Sequence, residues 1–247
     1  MGKIVYVDVG THFAQEFQSF FGSQKYFYTK IIRRLIGSHV LRRGEMISLS
    51  ELRELMRQRH DLRRKKNCFI SFFVEANARV IQHSDVYRSA NGVFNCALTG
   101  DQQFSLINLY LANSDQLSQG SSIFSTKSNV SVNDAVPTAG VPSGLFFRSL
   151  KGLIERSIRE YSVILRLNCE GVEDDVIYSA HEVFSDKLAL VMGSLDDVRG
   201  CKGDDVYDAL QQYLTINNLP FVSFSSEISS WSVAHKSINE VHKCFFE

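Results

Sequence analysis

Residues 3–16 constrain the fold more than any other stretch of the chain. Ile4 to Val9 is a short apolar, β-branched run of the kind that forms a parallel strand covered on both faces. Gly10 follows at once, which lets the backbone turn sharply and leaves room for a ligand to approach. Ala14-Gln15-Glu16 then begins a helical pattern continued by Phe17, Phe20 and Phe21. A strand, a tight turn and a helix start at the front of an open sheet make the usual site for a nucleotide-like ligand. The free N–H groups of the helix start suit a carboxylate or a phosphate. The same pattern is also compatible with a purely structural turn.

Downstream, strand-like and helix-like segments alternate. Strands are expected over 68–74, 92–98, 104–111, 161–167, 188–192 and 219–224. Helices are expected over 78–89, 149–159, 204–216 and from Glu173 to about Phe184. Alternation of this kind predicts an α/β fold with a mostly parallel central sheet and helices on both faces. Residues 113–143 are rich in Ser, Asn, Gly and Thr and hold Pro137 and Pro142, so they read as a long loop. The 247 residues suit a single domain with a sizeable core.

The interval between the first two strands is much longer than a doubly wound fold needs. Residues 22–66 therefore read as an inserted, mainly helical segment. Tyr26 to Leu41 has Phe27, Ile31, Ile32, Leu35 and Ile36 at helical spacing, with Lys30, Arg33 and Arg34 opposite. Ser48 and Glu51 form a capping-box pattern ahead of Leu52, Leu55 and Met56. Lys25 to Lys66 carries 13 Lys/Arg against four acids, although the chain as a whole is neutral. The run Arg63 to Lys66 is by itself most simply a solvated face. With Arg33, Arg34, Arg42 and Arg43 it forms a patch suited to an anionic partner.

The five cysteines are scattered, with no C-x-x-C. That argues against a disulfide framework or a zinc cage and for a reducing compartment. No apolar run reaches the length of a membrane span, and the N-terminus runs straight into a strand, so a cytoplasmic location is expected. His60, His181 and His235 lack metal spacing and Trp231 reads as a packing residue, so no metal site is assigned.

Three candidate sites fall at the carboxyl ends of core strands: Asp8/Gly10, Glu75, and Asn168/Glu170/Glu173. In a doubly wound sheet such ends converge on one crevice. An acid ending the second strand is placed to accept the hydroxyls of a ribose, and Glu75 has that place; the lesser alternative is a carboxylate that merely ends a strand.

The four blocks together resemble a family. Val7 to Glu16 looks like the first motif of the FkbM-type S-adenosylmethionine-dependent methyltransferases, and Val74-Glu75-Ala76-Asn77 like their Glu-Pro-Asn motif. Gln119 to Ile123 looks like their Gly-Ser-Ser-Leu loop. Leu165 to Glu173 is similar to their Lys-x-Asp-x-Glu-Gly-x-Glu block, and the order agrees from residue 3 to about 198. The resemblance implies a Rossmann-like methyltransferase fold and S-adenosyl-L-methionine as cofactor. It implies methyl transfer to a hydroxyl of a sugar, a glycan or a glycosylated small molecule.

Carried over by position, Asp8, Gly10, Thr11, His12 and Gln15 would surround the methionine part of the cofactor. Glu75 would bind the ribose, with Ala76 beside it. Asn95, Cys96 and Ala97 would flank the adenine, and Asn168 joins the cofactor set. Glu170 and Glu173 would sit on the substrate side. The chain departs from the pattern at Ala14, where the family has Gly, and at Ala76, Arg166 and Asn168, which replace Pro, Lys and Asp. Asparagine is no general base, so proton removal would pass to Glu173, Glu170 or His12. For Glu173 a helix-capping role is an equal alternative, and His12 could simply pack in its turn. The basic segment favours an anionic or lipid-linked acceptor and peripheral contact with a membrane surface through residues 25–66. A nucleic-acid methyltransferase and a non-catalytic binding protein that keeps the fold are the other expectations.

Overall fold

The computed structural model describes residues 2–37, 48–113, 117, 120–224 and 230–246. Arg42, Arg43, Gln119 and the 38–41 end of the expected first insertion helix lie outside them, as does the side chain of Trp231. The chain forms two compact units, Met1–Phe13 with Phe69–Ser225, and Ala14–Cys68 with Ser226–Glu247.

The first unit is built on a six-stranded, all-parallel sheet. Its strands are β1 (Lys3–Val9), β2 (Phe69–Val74), β3 (Gly92–Phe94), β7 (Tyr161–Leu167), β8 (Leu188–Gly193) and β9 (Phe221–Ser223), in the order β3-β2-β1-β7-β8-β9. This is the expected α/β, Rossmann-like arrangement, with helices flanking the sheet. The strand order reverses between β1 and β7, and the turns after these two strands and β2 sit together at their carboxyl ends. β1 is buried from Ile4 to Val9, which explains its unbroken apolar run. Val5, Val7, Val163, Leu165 and Val191 enter one core with Phe147 and Leu150 of α5 (Ser143–Glu155) and Val176, Ile177 and Ala180 of α6 (Glu173–Phe184). Val198 of α7 (Asp196–Lys202) and Leu210 and Leu214 of α8 (Asp204–Ile216) complete it.

The middle of the chain departs from the sequence expectations. The expected strand over 92–98 is two strands in different sheets. β3 pairs with β2, whereas β4 (Ala97–Thr99) pairs with β6 (Val130–Pro142) in a second sheet whose third strand is β5 (Ser105–Ala112), in the order β4-β6-β5. Asn95 marks the change, because its amide turns back to the carbonyls of Glu75 and Ala76. Residues 113–143 are not all loop, since β6 (Val130–Pro142) runs antiparallel to β5 (Ser105–Ala112). The prolines concealed it. Pro137 sits where β6 has a neighbour on one side only, and Pro142 ends the strand, so neither costs a central ladder bond. α5 starts six residues earlier than expected, straight after Pro142. The helix expected over 78–89 is α4 (Ala78–His83) followed by a 3₁₀ turn over Asp85–Ser89.

The second unit contains α1 (Gln15–Phe21), α2 (Gln24–Leu35), α3 (Leu49–Arg64) and α9 (Ser230–Phe246), so the insertion is helical as expected. The capping box forms: Ser48 Oγ accepts from Glu51 N at 3.1 Å and Glu51 accepts from Ser48 N at 2.8 Å. Such a cap stabilises a helix by about 1 kcal/mol. Leu55 and Leu62 of α3 are buried, and Gln58 donates to Asn239 of α9. Arg59, itself buried, donates to the carbonyls of Ser19 and Gly22 at 2.7 and 2.8 Å and lies over the Phe27 ring. Among the described residues no helix is long and apolar enough to cross a membrane.

Candidate functional site

The crevice forms where the turns after β1, β2 and β7 meet. Its walls include Gly10, His12, Glu75, Ala76, Cys96, Ala97, Asn168 and Glu170, and Ser121 and Ile123 from the segment ahead of β6. The first turn is tightly built. Gly10 and Thr11 both donate from their backbone N–H groups to the Val74 carbonyl, at 2.9 and 3.2 Å. The Thr11 hydroxyl donates to the Asp8 carbonyl at 2.7 Å. Gly10, His12 and Ala14 all have positive φ, at 68°, 49° and 45°. A Cβ on Gly10 would overlap the Asn168 carbonyl oxygen. The space left by this glycine is thus filled by the backbone of the turn after β7 and not by a ligand.

Glu75 is 6% exposed and joins two turns. Its Oε2 accepts from His12 N and its Oε1 from Asn77 N, both at 2.8 Å. Burial raises its pKa above the ordinary carboxylate range, while these donors and the charge of Arg166 pull against the rise. Each oxygen keeps a second lone-pair direction, so the carboxylate can still accept from a hydroxyl in the crevice.

Asp8 and Thr11 are fully buried and do not reach the crevice wall. The Asp8 carboxylate pairs with Arg166 at 3.1 Å, and the same Arg166 nitrogen donates to the Gly10 carbonyl at 2.7 Å. Asn95 is engaged with backbone carbonyls, whereas Cys96 and Ala97 line the wall as expected. Burial pushes the Cys96 thiol up to about 11, so it is no thiolate nucleophile near neutrality. Gln15, the first residue of α1, belongs to the second unit.

The three candidate proton acceptors separate clearly. Glu173 is fully buried and does not line the crevice. It accepts three backbone N–H bonds, from Cys169 at 2.9 Å, Glu170 at 2.7 Å and Gly171 at 2.9 Å. Its geometry is that of a carboxylate closing the loop at the start of α6. His12 and Glu170 do meet, with His12 Nε2 at 3.8 Å from Glu170 Oε1. Asn168 donates toward the same Glu170 oxygen at 3.3 Å. Glu170 is also ion-paired to Lys127, whose ammonium lies 3.1 Å from Asp197.

Two participants were not visible in the sequence. Lys127 stands alone in a Ser/Asn-rich stretch with no local signal. Tyr87 donates its hydroxyl to the His12 carbonyl at 2.7 Å from the 3₁₀ turn after α4. The helical spacing before it hints only at packing.

Burial pushes the Glu173 carboxyl up to about 7, against the pull of its N–H donors. The folded state then holds this proton more tightly than the unfolded chain does. Stability contributed by the protonated form is therefore complete below about pH 4.5 and is lost as pH rises to about 7, by about 3 kcal/mol. Urea unfolding across that window is expected to show the wild type losing stability relative to Glu173→Gln as pH rises.

The cavity itself is small, about 40 Å³. That is room for roughly three waters at one probe sphere each, far short of the ~300 Å³ that small-molecule sites start from. No family model, curated protein or solved structure matches the chain.

Proposed function

We propose that the chain is an S-adenosylmethionine-dependent O-methyltransferase whose acceptor is a hydroxyl of a sugar, a glycan or a glycosylated small molecule. The observation that carries this reading is the His12–Glu170 contact beside Glu75, at the carboxyl ends of β1, β2 and β7. Glu75 offers acceptor positions for a pair of ribose hydroxyls, and Cys96 and Ala97 offer a small apolar wall for a flat base. The polar set suits this cofactor; the cavity is smaller than the cofactor, which would have to displace the wall carrying Ser121 and Ile123 to enter. When bound, the cofactor supplies an electrophilic methyl group on a cationic sulfur. The protein's part is alignment and proton removal. His12 takes the proton of the acceptor hydroxyl on its imidazole, and Glu170 stabilises the imidazolium that forms. Five cysteines, none in a disulfide, suit a reducing, cytoplasmic setting.

Transfer of a labelled methyl group to a panel of glycans and nucleotide sugars tests the reading. His12→Gln and Glu170→Gln are expected to lower kcat by about a hundredfold or more while cofactor affinity stays within a few-fold. Unchanged kcat in both would remove the dyad from the chemistry.

A non-catalytic binding protein that keeps this fold is the second reading. It is favoured by the small cavity and by Lys127, which occupies Glu170. A folded wild-type chain that binds cofactor but transfers no methyl group to any acceptor would select it.

A further inference from the structure

The second unit carries a net charge of +7, and the rest of the chain −7. Within this unit, α2 and α3 enclose a groove of about 330 Å³ lined by Phe27, Tyr28, Met56, His60, Arg63 and Arg64, with Gln24 and Arg59 at its edge. Among the described residues no acidic side chain lines it. The acids of α3 nearest in sequence, Glu54 and Asp61, are engaged elsewhere, by Arg57 and by Arg57 with His242. Arg59 is committed to two backbone carbonyls and the Phe27 ring, so it builds the floor. Arg63 and Arg64 are exposed, and among the described residues Arg63 makes a long bond of 3.3 Å to the Gly22 carbonyl. Tyr28 lines the same groove and is 41% exposed.

We infer that the α2–α3 groove binds single-stranded nucleic acid. Arg63 and Arg64 neutralise successive phosphates, and the Tyr28 ring stacks on a base. Charge of one sign with an exposed ring inside the same concave surface is the combination that holds a single strand without reading its sequence. A bilayer surface is broad and flat, and it meets convex faces rather than a groove with its aromatic ring inside. The inference concerns the second unit alone and does not depend on the cofactor reading of the crevice.

Fluorescence anisotropy of labelled oligo(U) and oligo(dT) with the full chain tests it, at salt from about 50 mM upward. Wild type is expected to bind both, with affinity falling as salt rises. Arg63→Gln with Arg64→Gln is expected to weaken binding at least about tenfold at low salt. It should also flatten the slope of log affinity against log salt by about 1.4, or about 0.7 for each phosphate left without its arginine. Tyr28→Ala is expected to weaken binding about tenfold with the slope unchanged, and it decides the matter alone if the double variant does not fold. Arg53→Gln, outside the groove, is expected to bind like wild type. No binding by folded wild type at low salt would overturn the inference. So would a double variant or a Tyr28 variant with wild-type affinity and slope, or binding to phosphatidylserine vesicles without binding to either oligonucleotide.

Discussion

Gly10→Ala is expected to cost more than about 4 kcal/mol of folding stability, beyond the range of ordinary point substitutions. Two effects add. Residue 10 holds φ at 68°, which costs an L-residue roughly 1–2 kcal/mol. The larger effect is steric. The new Cβ would stand 2.5 Å from the Asn168 carbonyl carbon and closer still to its oxygen. These are backbone atoms at the end of a buried strand, fixed by the bond from Asn168 N to the Val9 carbonyl at 2.9 Å. They can yield only if β1 and β7 separate at the crevice. Gly152→Ala is the control. Gly152 lies within α5 and a Cβ there would meet nothing within 4 Å, so the substitution should stabilise by about 1 kcal/mol through helix propensity. Urea unfolding of both variants checks the pair. A Gly10→Ala protein of wild-type stability would mean that the two turns do not cross as described.

Arg166→Leu is expected to cost about 3–5 kcal/mol. Asp8 is fully buried, and the substitution takes away the guanidinium that balances its charge. The Gly10 carbonyl loses a donor in the same step. Arg166→Lys is expected to cost less than Arg166→Leu, because an ammonium keeps the charge beside Asp8 and can replace the nitrogen that bonds Asp8 and Gly10. Combining Asp8→Asn with Arg166→Leu should recover part of the single-variant loss, since residue 8 then carries no charge to be left unbalanced. A double-mutant cycle in urea reads the coupling directly. Equal losses for Leu and Lys would contradict the charge argument.

The middle of the central sheet was legible because its strands are buried. Ile4 to Val9, Phe69 to Val74 and Tyr161 to Leu167 have no polar periodicity to confuse them with anything else. The second sheet was legible only at β5. β6 carries two prolines, and β4 is three residues long, too short for a period to register. α9 carried no turn or capping signal strong enough to mark it. In the site, turn residues were predictable and side-chain directions were not. Sequence position places Glu170 and Glu173 three residues apart at one strand end. Only the loop geometry turns Glu173 into three backbone N–H groups and leaves Glu170 beside His12. Asp8 likewise holds the expected position, but its carboxylate is buried under Arg166. Lys127 reaches Glu170 from more than 40 residues away, a pairing that no local pattern encodes.

Isothermal titration of S-adenosylhomocysteine into the full chain tests the central claim most directly. The account predicts one site per chain, with binding weakened at least about tenfold in Glu75→Gln, whose amide cannot accept at both oxygen positions. A folded wild-type protein with no binding up to about 1 mM ligand, or a folded Glu75→Gln protein with wild-type affinity, would contradict it.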